Sequence, residues 1–179
     1  MHIPTHILSG WCIGNLLPLN GRERVFCMVA ASVADFDGLG IIFGEEVYWD
    51  YHHKLGHNVL FAALLAGGLA AFSSSRKGLA FIAYFLLAHL HLVLDYFGSG
   101  PGWPLYYLWP VSDMEIVNPR AWPFFSWQNI LAAYALVAWT LWIAWRDKRT
   151  PLECLMPRLD RQLVALLPRR RGDHAGEHT

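Results

Sequence analysis

The sequence has few charged residues and lacks several common signals. Charged side chains make up 16% of the 179 residues, against about 25% in typical soluble proteins. Residues 1–6 contain no Lys or Arg, so they lack the basic start of a secretory signal, and we expect them to be retained. The chain has no P-loop, no dinucleotide-binding glycine pattern and no Gly-x-Ser-x-Gly motif. Its formal net charge of zero gives no reason to predict a nucleic-acid partner.

Cysteine is also scarce, whereas apolar and aromatic residues are abundant. Cys12, Cys27 and Cys154 are an odd number without metal-type spacing, so we interpret them as small packing residues. Apolar residues make up 55% of the chain and aromatic residues 15%. The nine tryptophans favour a membrane protein, because indole rings concentrate at membrane–water interfaces.

Five apolar stretches follow one another along the chain. They are Ile7–Leu19, Val25–Phe43, Val59–Phe72, Leu79–Phe97 and Ile130–Trp145. A membrane-spanning helix needs about 20 apolar residues, with roughly 17 as the lower limit. The second, fourth and fifth stretches reach or approach that length, and the two short ones are interpreted as tilted, re-entrant or extended by polar flanks. A soluble helix bundle is the alternative, but these runs leave it almost no polar face. We predict an all-α, polytopic membrane helix bundle of about five segments.

Basic residues lie almost entirely at one end of the predicted helices. Twelve of the fourteen Lys and Arg residues fall in connectors 21–24 and 73–78 or after residue 145, and only Lys54 and Arg120 fall elsewhere. By the positive-inside rule this end faces the cytoplasm, so the N-terminus lies outside the bacterial inner membrane and the C-terminus inside. Every histidine except the two after residue 171 then falls at the outer end.

The region Tyr96–Trp127 is too rich in Gly, Pro and aromatic residues for a regular helix. We predict an extracytoplasmic aromatic loop, which either anchors the helices in the interface or contacts lipid or substrate. Residues 150–179 are polar and basic. We therefore divide the chain into a membrane-embedded metal-site domain, 1–149, and a basic cytoplasmic tail, 150–179. Residues 152–167 of the tail suit the anionic inner leaflet, and we expect disorder in its last dozen residues.

Pairs of ionisable residues at helical spacing predict a metal site. His91 and Asp95, four residues apart with only aliphatic residues between them, share one face of a helix. Ionisable groups in apolar spans are costly unless paired or coordinated, so the pair either chelates a divalent ion or forms a buried hydrogen bond. His53 and His57 repeat the spacing, which is common in metal sites, although an exposed polar loop is the alternative. His52 replaces His53 if this segment is not helical.

Two carboxylates end the second apolar stretch. On a regular helix Asp35 and Asp37 would not converge, but at a frayed helix end they can, and a cation would remove their repulsion; a plain helix boundary is the alternative. His6 falls at the same outer end. The predicted ligands are His6, Asp35, Asp37, His53, His57, His91 and Asp95. Seven ligands exceed the four of a structural zinc site, so we predict more than one divalent ion, zinc first, with manganese or iron as alternatives.

The order of these motifs resembles that of the YdjM-like family of bacterial inner-membrane proteins, described as membrane-bound metal-dependent hydrolases. The matching motifs are Thr5-His6, Asp35-Phe36-Asp37, His52-His53 with His57-Asn58, His91 with Asp95, and Gly102-Trp103-Pro104-Leu105 with Trp109-Pro110. The sequence departs from the family at Ala34, where proline is usual, and at Lys54-Leu55-Gly56, where Arg-Gly-x-Thr is usual. The second departure shifts the histidine spacing by one, so the choice between His52 and His53 stays open. A weaker similarity of ligand order is to zinc-dependent phospholipases C and related nucleases.

The resemblance implies a metal-dependent hydrolase at the outer face of the inner membrane. We expect an ester or phosphoester substrate, lipid-like and supplied by the membrane, with Asp37 or another spare carboxylate as general base. A metal-binding transport or sensing protein is the alternative, but transporter sites lie near the bilayer midplane, whereas these ligands cluster at one membrane end. A structural metal that joins short helices is a third hypothesis.

Overall fold

The computed structural model describes residues 1–74 and 76–168, and the regular secondary structure of this part of the chain is helical apart from one isolated β-bridge between Leu105 and Ile116. The predicted all-α class is therefore confirmed. The predicted disorder at the end of the tail lies outside the described residues. The helices are α1 (Ile3–Gly14), α2 (Gly21–Ser32), a 3₁₀ segment (Val33–Phe43), α3 (Glu45–Tyr51), α4 (Val59–Ala71), α5 (Lys77–Gly98), α6 (Trp127–Asp147) and α7 (Pro157–Ala165).

Within the described residues, three helices are long and apolar enough to cross a membrane. They are the continuous helix Gly21–Phe43, formed by α2 and the 3₁₀ segment, and helices α5 and α6. The 13 residues of α4 rise about 20 Å and the 12 of α1 about 18 Å, against a hydrocarbon core of about 30 Å. The prediction of about five segments thus resolves into three candidate spans and two shorter helices packed among them.

Helix α1 starts earlier than the apolar stretch predicted. Pro4 occupies the first turn, where its missing N–H costs nothing, and the helix ends at Gly14. Small residues then bring α1 against α2: a Cβ on Gly10 would lie 2.4 Å from the carbonyl oxygen of Cys27. Gly10 also faces the Ala31 side chain, whereas Gly14 faces those of Cys27 and Arg24, so the two helices run antiparallel. Such close approach is typical of small residues between membrane helices, and it places the start of α1 beside the end of α2.

The Asn58 side chain sets the start of α4, next to the histidine-rich region. Asn58 accepts a hydrogen bond from the Phe61 N–H at 2.8 Å and so begins α4 immediately after His57. The Asn58 amide also donates to the carbonyl oxygens of Lys54 and Leu55. One side chain therefore links the start of α4 to the loop of residues 52–58, hereafter the histidine loop.

At the opposite end of the bundle, the segment after α6 packs back on α2. Arg24 donates two hydrogen bonds to the Glu153 carboxylate, at 2.6 and 2.7 Å. The two oxygens match the planar guanidinium, which is the favoured geometry for such a pair. The start of the predicted tail is thus attached to the helices, and the domain boundary near residue 149 stays a prediction.

Candidate metal centre

Side chains from three helical elements and the histidine loop converge at one end of the bundle. The structure brings together six of the seven predicted ligands in two groups that can hold a metal ion, each with its donor atoms within 4.8 Å of one another. The first group is His6, Asp35, His91 and Asp95, and the second is His53, His57 and Asp95. Asp95 belongs to both groups, so its carboxylate can bridge two positions. We call these six residues the metal cluster.

The 3₁₀ geometry separates the two carboxylates that follow α2. With three residues per turn, side chains two positions apart diverge by about 120° around the axis. Asp35 therefore faces the metal cluster, with Oδ1 3.5 Å from His91 Nε2 and 3.7 Å from His57 Nε2. Asp37 faces the histidine loop instead.

Asp37 accepts four hydrogen bonds from the histidine loop. Its Oδ2 accepts from the backbone N–H groups of His53 and Gly56, both at 3.1 Å, and from His57 Nδ1 at 2.9 Å. Its Oδ1 accepts from His52 Nδ1 at 2.6 Å. Asp37 is the one predicted ligand that stands in neither group, and these bonds place it behind His57. Its predicted roles as ligand and general base stay predictions, and the geometry favours an orienting role.

The histidine loop is not helical, so the one-turn spacing assumed for His53 and His57 is absent. Residues 52–58 form turns, and His53 has a φ of 65°, in the left-handed region. This path stacks the His53 ring on the His57 ring with centroids 4.3 Å apart. The sequence left His52 as the alternative to His53 for a non-helical loop; in the structure His53 enters the metal group and His52 bonds Asp37.

Asp95 occupies the centre of the metal cluster. Its Oδ2 lies 3.0 Å from His91 Nε2 and 3.3 Å from His57 Nε2, and its Oδ1 lies 3.2 Å from His6 Nε2. The Met1 amino group and the Ser99 hydroxyl also contact Oδ1. The predicted sharing of a helix face by His91 and Asp95 is therefore what the structure shows.

The hydrogen bonds behind the rings determine which nitrogens face the centre. His91 Nδ1 lies 2.9 Å from the Ala31 carbonyl oxygen, which can only accept, so in the neutral ring it is Nε2 that carries the lone pair. His57 Nδ1 likewise donates to Asp37. The two Nε2 atoms then lie 3.1 Å apart, beside the Asp95 carboxylate. Acceptors this close require a positive charge between them, either a proton or a metal ion.

The pKa values of the histidine loop agree with this need for positive charge. Burial disfavours the charged form of His57, but hydrogen bonds to Asp37 and Asp95 outweigh it and raise its pKa to about 9. Burial instead lowers the pKa of His53 well below its usual value, so that ring presents a neutral nitrogen.

Several buried polar atoms of the cluster lack a hydrogen-bond partner within the described chain. They are Nδ1 of His6, Nδ1 of His53 and Oδ2 of Asp35. Buried polar atoms are normally satisfied, and imidazole nitrogens with carboxylate oxygens suit zinc, manganese or iron. The donor set therefore fits divalent metal.

Aromatic residues that the sequence analysis did not assign to the site surround its entrance. Tyr48 stacks on His52 at 4.7 Å between centroids, and Trp103 lies 5.2 Å from the His53 ring. Both line a cavity of about 240 Å³ together with Asp35 and Asp95. The sequence could have indicated Trp103, because it belongs to the Gly-Trp-Pro-Leu motif. Tyr48 lies one helical turn before the histidines and belongs to no motif.

Comparison with known proteins supports a membrane assignment. The model of the family described as YdjM inner membrane protein matches residues 1–159. No curated protein and no solved structure matches the chain significantly.

Proposed function

The chain belongs to the YdjM inner membrane protein family, and from that premise we propose that it is a membrane-bound, metal-dependent hydrolase of an ester or phosphoester. The observation that supports this is the surplus of donors: two groups share Asp95 and border a cavity. A structural zinc site takes four protein ligands and closes, whereas a catalytic site keeps a position open. With Asp95 shared, one group offers four donor residues and the other only three, so the second group would leave a position open.

The residues of the metal cluster have distinct tasks. His6, Asp35 and His91 would hold one ion and His53 and His57 the other, with Asp95 available to both. Divalent ions bound there, zinc first, would lower the pKa of a water molecule and neutralise charge on the substrate oxygens. The Ala31 carbonyl orients His91 as Asp37 orients His57, and such supporting bonds fix the ring and raise its basicity.

Asp35 is the carboxylate that we assign as proton acceptor, through Oδ2, because Oδ1 is the oxygen that approaches His57 and His91. It lines the cavity, and its Oδ2 has no hydrogen-bond partner among the described residues. Asp37, in contrast, has both oxygens engaged by four donors. Asp37 is therefore a positioning residue that acts through His57.

The test is turnover by purified protein in lipid vesicles, after metal removal and after reconstitution. We expect cleavage of a phospholipid, an isoprenoid phosphate or a phosphodiester reporter, lost on chelation and restored by zinc or manganese. His57→Ala should abolish it. His89→Ala is the matched control, because His89 bonds Phe85 and Tyr107 outside the cluster.

One result would favour the transport hypothesis instead. It is a folded, metal-loaded protein that cleaves none of a broad lipid and phosphoester panel while it conducts metal ions into liposomes. The position of the cluster argues against that result, because His91 and Asp95 lie in the C-terminal part of α5, which ends at Gly98. Transporter sites lie near the midplane.

A further inference from the structure

A groove of about 520 Å³ adjoins the cavity of the metal cluster. The cavity and the groove share Asp35, Tyr48, His52 and Phe124 among their lining residues. The groove is thus continuous with the site rather than a separate depression.

The groove is apolar away from the cluster and opens on the surface of a candidate span. Ile3 and Pro4 of α1 form one side, and Phe36 and Leu39 of the 3₁₀ segment form the other. Phe36 is 63% exposed and Leu39 53% exposed, and both belong to the candidate span Gly21–Phe43. Exposed apolar side chains on a spanning helix face hydrocarbon. The groove therefore connects the lipid phase with the metal cluster.

Space for an occupant beside the cluster comes from a glycine. A Cβ on Gly38 would lie 3.2 Å from His52 Cε1, so a side chain there would fill the passage between the groove and the histidine loop. An occupant must combine an apolar chain, for the outer part, with a polar group that reaches Asp35 and His52.

We propose that this groove holds the apolar chain of a membrane lipid whose anionic phosphate headgroup lies at the metal cluster. The identity of the polar end rests on the proposed function, whereas the apolar chain follows from the groove. Among the described residues, neither Lys nor Arg lines the cavity or the groove. Met1 lines both, but its amino group is already engaged by Asp95 and Ser99. A phosphate beside Asp35 and Asp95 would be repelled by their negative charges, so its recognition requires bound metal. When the metal is removed by chelation, a lipid with an anionic phosphate headgroup should no longer be preferred in the groove over other lipids.

The experiment is photo-crosslinking in vesicles, which needs no turnover. The full chain, loaded with zinc, is reconstituted in phosphatidylcholine containing a small fraction of phosphatidic acid with a diazirine in its acyl chain. A parallel sample carries the same chain on phosphatidylcholine. Mass spectrometry then compares labelling at residues 1–4 and 36–39 with labelling around Leu64, which is exposed on α4. At each site, the labelling by phosphatidic acid is divided by the labelling by phosphatidylcholine, which corrects for general contact with the bilayer.

We expect the ratio of phosphatidic acid to phosphatidylcholine labelling to be several-fold higher in the groove than around Leu64. Chelation should bring the two ratios together, and so should Leu39→Trp, which fills the groove. Leu64→Trp is the matched control and should change nothing. Because Leu39 is exposed, its substitution should leave folding intact, and an unchanged zinc content would verify this.

Equal ratios at the two surfaces would overturn the proposal. So would groove labelling that survives chelation, or labelling that Leu39→Trp leaves unchanged in a zinc-loaded protein. Selective, metal-dependent labelling without turnover of any lipid would support the groove as a lipid-binding site while it contradicts the proposed hydrolase. The failure of either proposal is therefore distinguishable from the failure of the other.

Discussion

Replacement of Asp37 by asparagine tests how the metal cluster is supported. The Asp37 carboxylate lies behind His57 and accepts four hydrogen bonds from the histidine loop. Asparagine retains one oxygen, which can face the three donors that bond Oδ2. Its NH₂ group then faces His52, whose ring can change tautomer and accept. The loop should stay folded, but the negative charge behind His57 is lost.

The expected loss of metal affinity follows from that position. Removal of a group that orients a ligating histidine typically weakens metal binding by about 10–100-fold. At about 1.4 kcal/mol per factor of ten, this is roughly 1.4–2.8 kcal/mol of binding free energy. Asp37→Ala should weaken metal binding more than Asp37→Asn does. It leaves the donors of the histidine loop without an acceptor, and each such buried donor costs about 1–3 kcal/mol.

The assay is zinc titration against a chromophoric chelator, with vesicle-reconstituted protein. Asp50→Asn is the matched control, because Asp50 is exposed on α3. A zinc affinity of Asp37→Asn equal to that of the parent would refute the positioning role. If turnover disappeared while affinity stayed unchanged, the prediction of Asp37 as general base would be the correct one.

Three further predictions concern metal content, topology and packing. Elemental analysis of protein purified without chelator should find zinc, manganese or iron in stoichiometric amounts, and a trace would contradict the metal centre. With a membrane-impermeant maleimide on intact cells, Asp113→Cys should react and the exposed native Cys154 only after lysis; the reverse would invert the topology. Gly10→Ala should lower stability by about 1–3 kcal/mol or more, because its Cβ would overlap the Cys27 carbonyl. Gly67→Ala is the control and should not lower stability, since nothing lies within 4 Å of that Cβ. A Gly10→Ala protein that melts at the same temperature as Gly67→Ala would contradict the close contact of α1 with α2.

Features that depend on local periodicity could be predicted from the sequence. The apolar stretches predicted the long helices because a spanning helix must be apolar over most of its length, and α5 and α6 begin and end within three residues of their stretches. The shared face of His91 and Asp95 follows from helical geometry alone. Helix α1 begins before its apolar stretch, with Pro4 in its first turn, and hydropathy does not register that start.

Features that depend on the path of the backbone between helices required the tertiary structure. The sequence could not tell that residues after Ser32 tighten into a 3₁₀ segment, which turns Asp35 to the metal cluster and Asp37 to the histidine loop. It could not choose between His52 and His53, because the choice depends on the left-handed backbone at His53 and on the bonds that Asp37 makes to the loop. The groove beside the cluster was also unforeseen. It joins residues of α1, the 3₁₀ segment and the loop before α6, and only the packing of the helices brings those distant parts of the chain together.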